Sequence, residues 1–135
     1  MAKGAKAKGS SAERELLHTL VSHGFAVIRA AGSGSTTADA CDLIAGKAGK
    51  SYAIEVKACA GSKQYISPEQ MTELRNFSQA FGASAIVAVK WTRKGWGIID
   101  ANLLQTEGKY FGVKQEQMKP LAEWLKTIAI GFEIH

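Results

Sequence analysis

Residues 84–91, which read SAIVAVKW, form the apolar segment that most constrains how this chain can fold. A strand with apolar side chains on both sides is buried on both faces of its sheet, which requires one covering layer above it and another below. Segments with helical spacing precede and follow it in the sequence. We therefore predict an α/β fold, a single domain in which helices flank a central mixed β-sheet.

The N-terminal part combines a lysine-rich segment with a predicted helix. Residues 1–10 contain three lysines and no acidic residue, so we predict a flexible basic arm there and a folded domain over residues 11–135. Ser10 stands three residues before Glu13, which is the spacing of a capping box, and the first helix is predicted to begin there. Gly24 is predicted to end it.

A second helix has clear start and stop signals. Ser67 can cap its N-terminus, Pro68 suits the first helical position, and Gly82 is predicted to stop it. The remaining predicted elements are four strands and a last helix, at residues 25–30, 41–45, 51–58, 95–100 and 115–127.

The composition favours an intracellular globular protein. A chain of 135 residues, 46% of them hydrophobic, fits one domain, and no apolar run is long enough to span a membrane, so we expect a soluble cytoplasmic protein. The two cysteines lack a CxxC spacing, and no zinc site is expected. Seventeen Lys and Arg against twelve Asp and Glu give a net charge of +5, which suits a nucleic acid partner without requiring one.

The two strands on either side of the GKAGK turn are predicted to form a hairpin that brings charged side chains together. If Gly46 pairs with Ser51, Asp42 lies directly opposite Glu55. Because side chains alternate along a strand, Lys57 shares the face of Glu55. Two carboxylates this close repel each other, and a divalent cation bound between them would reverse that effect. We predict a Mg²⁺ site in which Lys57 orients water or neutralises charge; solvated charges on an exposed hairpin face are the alternative.

Four other charged residues could join this site or have ordinary roles. Glu13, on the inward side of the first helix, could add a third carboxylate or could simply cap that helix. Arg29, at the end of a strand, could contact phosphate or pair with an acid. Arg14 and Lys63 could bind DNA phosphates or remain solvated surface residues.

The order of several segments resembles that of a known family. The matching segments are AERELLHTLVSHGFAVIRAAGSGS, DLIAG, AIEVKA and LRNFSQAFGASAIVAVKW. In this order they are similar to the archaeal Holliday junction resolvases, members of the PD-(D/E)xK nuclease superfamily, over residues 9–91. The resemblance implies a restriction-endonuclease-like fold. It also implies a homodimeric, Mg²⁺-dependent endonuclease that nicks two opposed strands of a four-way DNA junction in recombination and repair.

The resemblance also assigns roles to individual residues. Those that match the family's catalytic residues are Glu13, Ser33, Asp42, Glu55 and Lys57. The implied metal ligands are Glu13, Asp42 and Glu55. The basic residues that match the family's cleavage and junction-binding residues are Arg14 and Arg29, and Lys63 is added as a DNA-binding candidate because it lies just beyond the site.

Two assignments have alternatives. Phe77 and Phe81 match helix phenylalanines at or near the family's dimer surface, but their spacing is equally that of core residues. Asp39 is a rival to Asp42; we favour Asp42 because it lies in the matching DLIAG segment and faces Glu55.

Two other functions are compatible with the same site residues. One is a nuclease that cuts duplex or mismatched DNA, which differs from a resolvase in the shape of DNA it cuts. The other is a DNA-binding protein that has lost catalysis, and the presence of all four residues Glu13, Asp42, Glu55 and Lys57 argues against it.

Overall fold

The structure is a computed structural model that describes the backbone of residues 2–30 and 41–133 and the side chains of residues 11–30 and 41–128. Its helices are α1 (Ala2–Ser22), α2 (Pro68–Phe81) and α3 (Leu121–Glu133). Its strands are β1 (Ala26–Arg29), β2 (Leu43–Lys47), β3 (Lys50–Cys59), β4 (Lys63–Ile66), β5 (Ser84–Trp91), β6 (Gly95–Asp100), β7 (Gln105–Glu107), β8 (Tyr110–Lys114) and β9 (Lys119–Pro120).

Six strands form a mixed sheet in the order β1-β2-β3-β5-β6-β9. Strands β3 and β5 are parallel, and the other neighbours in this sheet are antiparallel. The apolar strand β5 lies inside the sheet, and its residues from Ala85 to Val89 are all buried. This confirms the prediction that residues 84–91 form a central strand covered on both faces.

The two faces of the sheet are covered by different elements. Leu16 and Leu20 of α1 pack with Ile54 and Val56 of β3 on one face, where Leu121 of α3 joins them. On the other face, α2 packs together with a second, three-stranded sheet in the order β4-β8-β7. The single α/β domain with helices on both faces is therefore confirmed.

The second sheet was not predicted from the sequence. Its strands contain only three to five residues each. Such short segments of mixed polarity give no clear period-two pattern, so only tertiary packing reveals them as strands.

Both terminal helices begin at residues other than those predicted. Helix α1 begins at Ala2, so Ser10 lies inside it and does not cap it. Alanine and lysine favour helix enough to extend it through the lysine-rich segment. Helix α3 begins at Leu121 rather than at residue 115, because Pro120 lacks the N–H that a helix interior needs. The division into an arm at residues 1–10 and a domain at residues 11–135 stays a prediction.

The local signals for α2 and for the hairpin are confirmed. The Ser67 hydroxyl accepts a hydrogen bond from the Gln70 N–H at 3.1 Å, and Gly82 ends α2 in the left-handed region with φ of 85°. In the hairpin, Gly46 pairs with Ser51 as expected. None of the helices that the structure describes is long and apolar enough to cross a membrane.

Candidate active site

Asp42 and Glu55 lie side by side, as the hairpin predicts. Asp42 directly precedes β2, whose first pair with β3 is Leu43 and Ile54. The Asp42 and Glu55 carboxyl groups lie close enough to affect each other's pKa. In addition, Asp42 Oδ2 accepts a hydrogen bond from the Val56 N–H at 2.8 Å. The backbone of the strand that carries Glu55 therefore also orients Asp42.

Burial perturbs both carboxyl groups. Glu55 is only 8% exposed. Burial, followed by the charge of Asp42, raises the pKa of Glu55 to about 8. The pKa of Asp42 is also raised, mainly by burial and further by the charge of Glu13, although the Val56 N–H and Lys57 oppose the rise. Both carboxyl groups therefore hold a proton more readily than a solvent-exposed carboxyl group does.

Lys57 lies on the same face of β3 as Glu55. Its Nζ atom is 3.6 Å from Glu55 Oε2, and both side chains are mostly buried. This single ammonium group only partly offsets the desolvation of the carboxyl pair, because the pKa of Glu55 is still raised. The predicted grouping of Asp42, Glu55 and Lys57 is thus present in the structure.

Glu13 is near this group but is paired elsewhere. Arg29 Nε donates a hydrogen bond to Glu13 Oε1 at 2.9 Å. The charge of Glu13 contributes to the raised pKa of Asp42. Even so, no group of three or more His, Cys, Asp or Glu in the described part of the chain is arranged to hold a metal ion. Glu13 pairs with Arg29 in this arrangement, and its role as a third carboxylate ligand stays a prediction.

The chemistry of the remaining pair suits a hard divalent cation. Asp42 and Glu55 present carboxylate oxygens, the donors that Mg²⁺ prefers, and their mutual repulsion would be relieved by such an ion. Cys41 precedes Asp42, but burial raises the pKa of its thiol to about 11. The Cys41 Sγ–H donates a hydrogen bond to the Leu43 carbonyl oxygen at 3.2 Å, so the thiol is engaged by the backbone and the donors of the pair are carboxylate oxygens.

The other basic candidates lie on different elements. Arg14 is exposed on α1 next to Glu13, so its side chain is accessible to a ligand. Lys63, on β4, forms an ion pair with Glu107 of β7. This ion pair could not be predicted from the sequence, because Lys63 and Glu107 lie on two strands of the second sheet, which was itself not predicted. Ser33 and Asp39 lie outside the described residues.

Phe77 and Phe81 have different environments on α2. Their rings stack with centroids 5.6 Å apart. Phe77 is partly buried against the core, whereas Phe81 is 55% exposed. Phe81 is therefore not a core residue, and its role in a dimer stays a prediction.

Glu15 is a charged residue whose contacts sequence reasoning missed. Its carboxylate accepts hydrogen bonds from Lys90 Nζ at 2.5 Å and from Trp96 Nε1 at 2.8 Å. These two bonds, with the Lys90 bond first, lower the pKa of Glu15. They connect α1 to β5 and β6 and so help to hold the helix that carries Glu13 in place. Partners more than 70 residues away leave no local signal in the sequence.

Comparisons with known proteins agree with this fold. The family model described as archaeal Holliday junction resolvase (Hjc) matches residues 4–130. A relative from Archaeoglobus fulgidus, crossover junction endodeoxyribonuclease Hjc, is 37% identical over 127 residues, which cover 94% of this chain and 93% of the relative. The protein of the same name from Methanocaldococcus jannaschii is 41% identical over 125 residues, which cover 93% of this chain and 84% of the relative.

A solved structure is similar as well. It is that of Archaeoglobus fulgidus Hjc, described as a Holliday junction resolvase from an archaeal hyperthermophile. Its TM-score is 0.81 at 33% sequence identity, and the match covers 87% of this chain and 99% of that chain. The fold is thus restriction-endonuclease-like, and the chain is a nuclease of that class. Within the class, the chain belongs to the archaeal Holliday junction resolvase family.

Proposed function

We propose that this chain resolves four-way DNA junctions in homologous recombination and repair by Mg²⁺-dependent nicking of two opposed strands. The names of its relatives, which describe a crossover junction endodeoxyribonuclease and a Holliday junction resolvase, support the reaction and the substrate. The observation that carries the proposal is the buried pair of Asp42 and Glu55 beside Lys57.

A purely structural role does not account for this group. Two buried carboxyl groups that share one nearby ammonium destabilise the folded protein when both are ionised. This loss of stability is explained if both carboxyl groups ionise around a bound divalent cation. A DNA-binding protein that lacked catalysis would have no use for such a pair.

Asp42 and Glu55 would hold the divalent cation, in keeping with the metal use expected for this nuclease class. When bound, the ion polarises the scissile phosphodiester and lowers the pKa of a water molecule. Lys57 lies 3.6 Å from Glu55, and we assign it to orient the attacking water or to neutralise charge on the phosphate in the transition state. The oxygen donors favour Mg²⁺ over a softer metal.

Two further residues complete the proposed catalytic set through the family resemblance. Glu13 would supply a third carboxylate near Asp42, on whose pKa it already acts. Ser33 would be a further catalytic residue. It lies outside the described residues.

DNA binding would depend mainly on contacts with phosphates. We assign Arg14 and Arg29, which flank Glu13, and Lys63, which would exchange Glu107 for a phosphate. The net charge of +5 supports a polyanionic partner. Junction affinity should then fall steeply as salt concentration rises. Because its substrate is chromosomal DNA, we place the enzyme in the cytoplasm, in association with the nucleoid.

Paired nicking requires two active sites in a fixed relation. A homodimer with two-fold symmetry provides them, and a four-way junction offers two strands with matching symmetry. We propose that α2 contributes to this dimer, since Phe81 exposes an aromatic ring next to Phe77.

Incubation with an immobile four-way junction tests the proposal directly. Each strand is labelled in turn, and the products are separated on denaturing gels after incubation with Mg²⁺ or with EDTA. The duplex of one arm serves as the second substrate and Glu55→Gln as the inactive control. We expect paired nicks in opposed strands with Mg²⁺ only.

Two results would contradict the proposal. Equal cutting of the duplex would indicate a nuclease without junction selectivity. A shift of the junction on a native gel, with no nick under any condition, would indicate a DNA-binding protein.

A further inference from the structure

The ion pair between Arg29 and Glu13 occupies two groups that the proposed reaction needs for other purposes. Arg29 Nε lies 2.9 Å from Glu13 Oε1, and the two side chains are 30% and 18% exposed. The Arg29 guanidinium and the Glu13 carboxylate thus each have a partner within the protein.

Glu13 is nevertheless close enough to the carboxyl pair to take part in it. Its partner Arg29 pairs with Leu43, and the next residue, Ala30, donates its N–H to the Asp42 carbonyl oxygen at 3.0 Å, so the Arg29–Glu13 ion pair lies beside the start of β2. Within the described part of the chain, no group of three or more His, Cys, Asp or Glu is arranged to hold a metal ion, and Glu13 Oε1 accepts a hydrogen bond from Arg29. Release of this bond would leave a third carboxylate facing two others.

We propose that Arg29 exchanges Glu13 for a DNA backbone phosphate, so that junction binding frees Glu13 to join Asp42 and Glu55 around the metal ion. This inference rests on the proposed function and adds a regulatory step to the same site. Arg29 acts as a positioning residue, because it controls where the Glu13 carboxylate is directed.

The chemistry of the two partners makes the exchange reasonable. A guanidinium group binds phosphate through the same paired N–H donors that it offers to a carboxylate. Arg29 is the last residue of β1, and about a third of its side chain is open to solvent, so a phosphate can reach it. The phosphate replaces the negative charge that Glu13 withdraws. The positive charge of Arg29 therefore remains paired throughout.

If the exchange takes place, a bound metal ion must increase the affinity for DNA, and bound DNA must increase the affinity for the metal ion. Such coupling is reciprocal, so it can be measured from either side. The test uses Ca²⁺ as the probe ion, since it is a hard cation with oxygen ligands like Mg²⁺. Calorimetry gives Ca²⁺ affinity without DNA. Fluorescence anisotropy gives junction affinity with and without Ca²⁺ at matched ionic strength, with gels to check that the junction is intact.

Arg29→Gln should bind Ca²⁺ more tightly than the wild type without DNA, because Glu13 is released. The wild type should gain about fivefold or more in junction affinity from Ca²⁺, and this gain should disappear in Arg29→Gln. Arg29→Lys retains the charge and should keep wild-type Ca²⁺ affinity. Lys126→Gln removes an exposed charge on α3 and should retain both properties.

Glu13→Gln gives the complementary result. It should leave Ca²⁺ affinity without DNA unchanged, because Glu13 is not yet a ligand, and it should abolish the gain in junction affinity. If Glu13→Gln instead weakens Ca²⁺ binding without DNA as strongly as Asp42→Asn does, Glu13 is already a ligand and the exchange is refuted. An Arg29→Gln protein with wild-type Ca²⁺ affinity and intact coupling would refute it too.

Failure of the underlying function has a separate signature. If Asp42→Asn leaves Ca²⁺ affinity unchanged, the metal site itself is wrong and the exchange fails with it. Circular dichroism of each variant identifies those that fold. Arg29→Gln and Glu13→Gln have separate expected results. If one of the two variants fails to fold, the other can still overturn the proposal.

Discussion

The carboxylate of Asp42 accepts a hydrogen bond from the backbone N–H of Val56 at 2.8 Å, so the strand that carries Glu55 also orients Asp42. The bond continues the hairpin beyond the last regular pair, Leu43 and Ile54. It places the Asp42 carboxyl group near that of Glu55, at a site where burial raises the pKa of both. The proposed metal site is thus formed by the sheet itself, which gives it a rigid frame.

Replacement of Asp42 by asparagine should separate catalysis from binding. The asparagine oxygen can still accept the Val56 N–H bond, so the variant should fold, but it lacks the charge that a metal ligand supplies. We expect the single-turnover cleavage rate to fall by more than about 100-fold, which corresponds to roughly 3 kcal/mol in the barrier. Junction affinity in EDTA should stay within a few-fold of wild type. A variant that cuts at the wild-type rate would show that Asp42 is not a ligand.

The stability of the metal-free protein should depend on pH through Glu55. Its pKa is raised from 4.5 to about 8, so the folded state binds this proton more tightly than the unfolded state does. The stabilising contribution is complete below the unfolded value of 4.5 and is lost as pH rises through about 8. Chemical denaturation in EDTA should therefore show a free energy of unfolding that falls by up to a few kcal/mol over this interval.

Matched variants identify the group responsible for that pH dependence. Glu55→Gln cannot ionise and should show a much shallower decline, whereas Glu73→Gln, on the exposed side of α2, should keep the wild-type slope. Addition of Mg²⁺ should restore stability at the alkaline end for the wild type. An identical decline in Glu55→Gln would assign the effect to another group.

Lys57→Ala should slow the chemical step more than it weakens DNA binding. The Lys57 ammonium lies 3.6 Å from Glu55, within the site rather than on the open surface. We expect single-turnover rates to fall about 10- to 100-fold, equivalent to roughly 1.4 to 2.7 kcal/mol, with little change in junction affinity. Lys50→Ala, an exposed lysine at the start of the same strand, is the matched control. A loss of affinity alone would make Lys57 a phosphate contact.

Phe81→Ala should weaken the homodimer without destabilising the monomer. The ring is 55% exposed, so its removal leaves no cavity in the core. Analytical ultracentrifugation should show a dimer dissociation constant raised about tenfold or more, as expected for an aromatic residue within an interface. Leu74→Ala on the same helix is fully buried and should instead lower stability by about 2–5 kcal/mol. If dimerisation of Phe81→Ala is unchanged, α2 does not form the interface.

Local sequence signals determined the elements that depend on near neighbours. Ser67, Pro68 and Gly82 correctly predicted both ends of α2, because caps and stops act within a few residues. The Gly46–Ser51 pairing correctly predicted that Asp42 would meet Glu55, because a short turn sets the register of a hairpin. The first helix shows the limit of such signals, since Ser10 fits a capping box but lies inside a helix that begins at Ala2.

Only the tertiary structure decided which charges are paired and how strongly they are perturbed. Glu13 is held by Arg29, and Lys63 by Glu107, through contacts between elements that are distant in the sequence. The raised pKa of Glu55 comes from burial, which depends on every layer packed around the sheet. The sequence by itself determined the family, the α/β class and the grouping of Asp42, Glu55 and Lys57. Their ionisation and the engagement of Glu13 follow from desolvation and long-range packing, which no local pattern encodes.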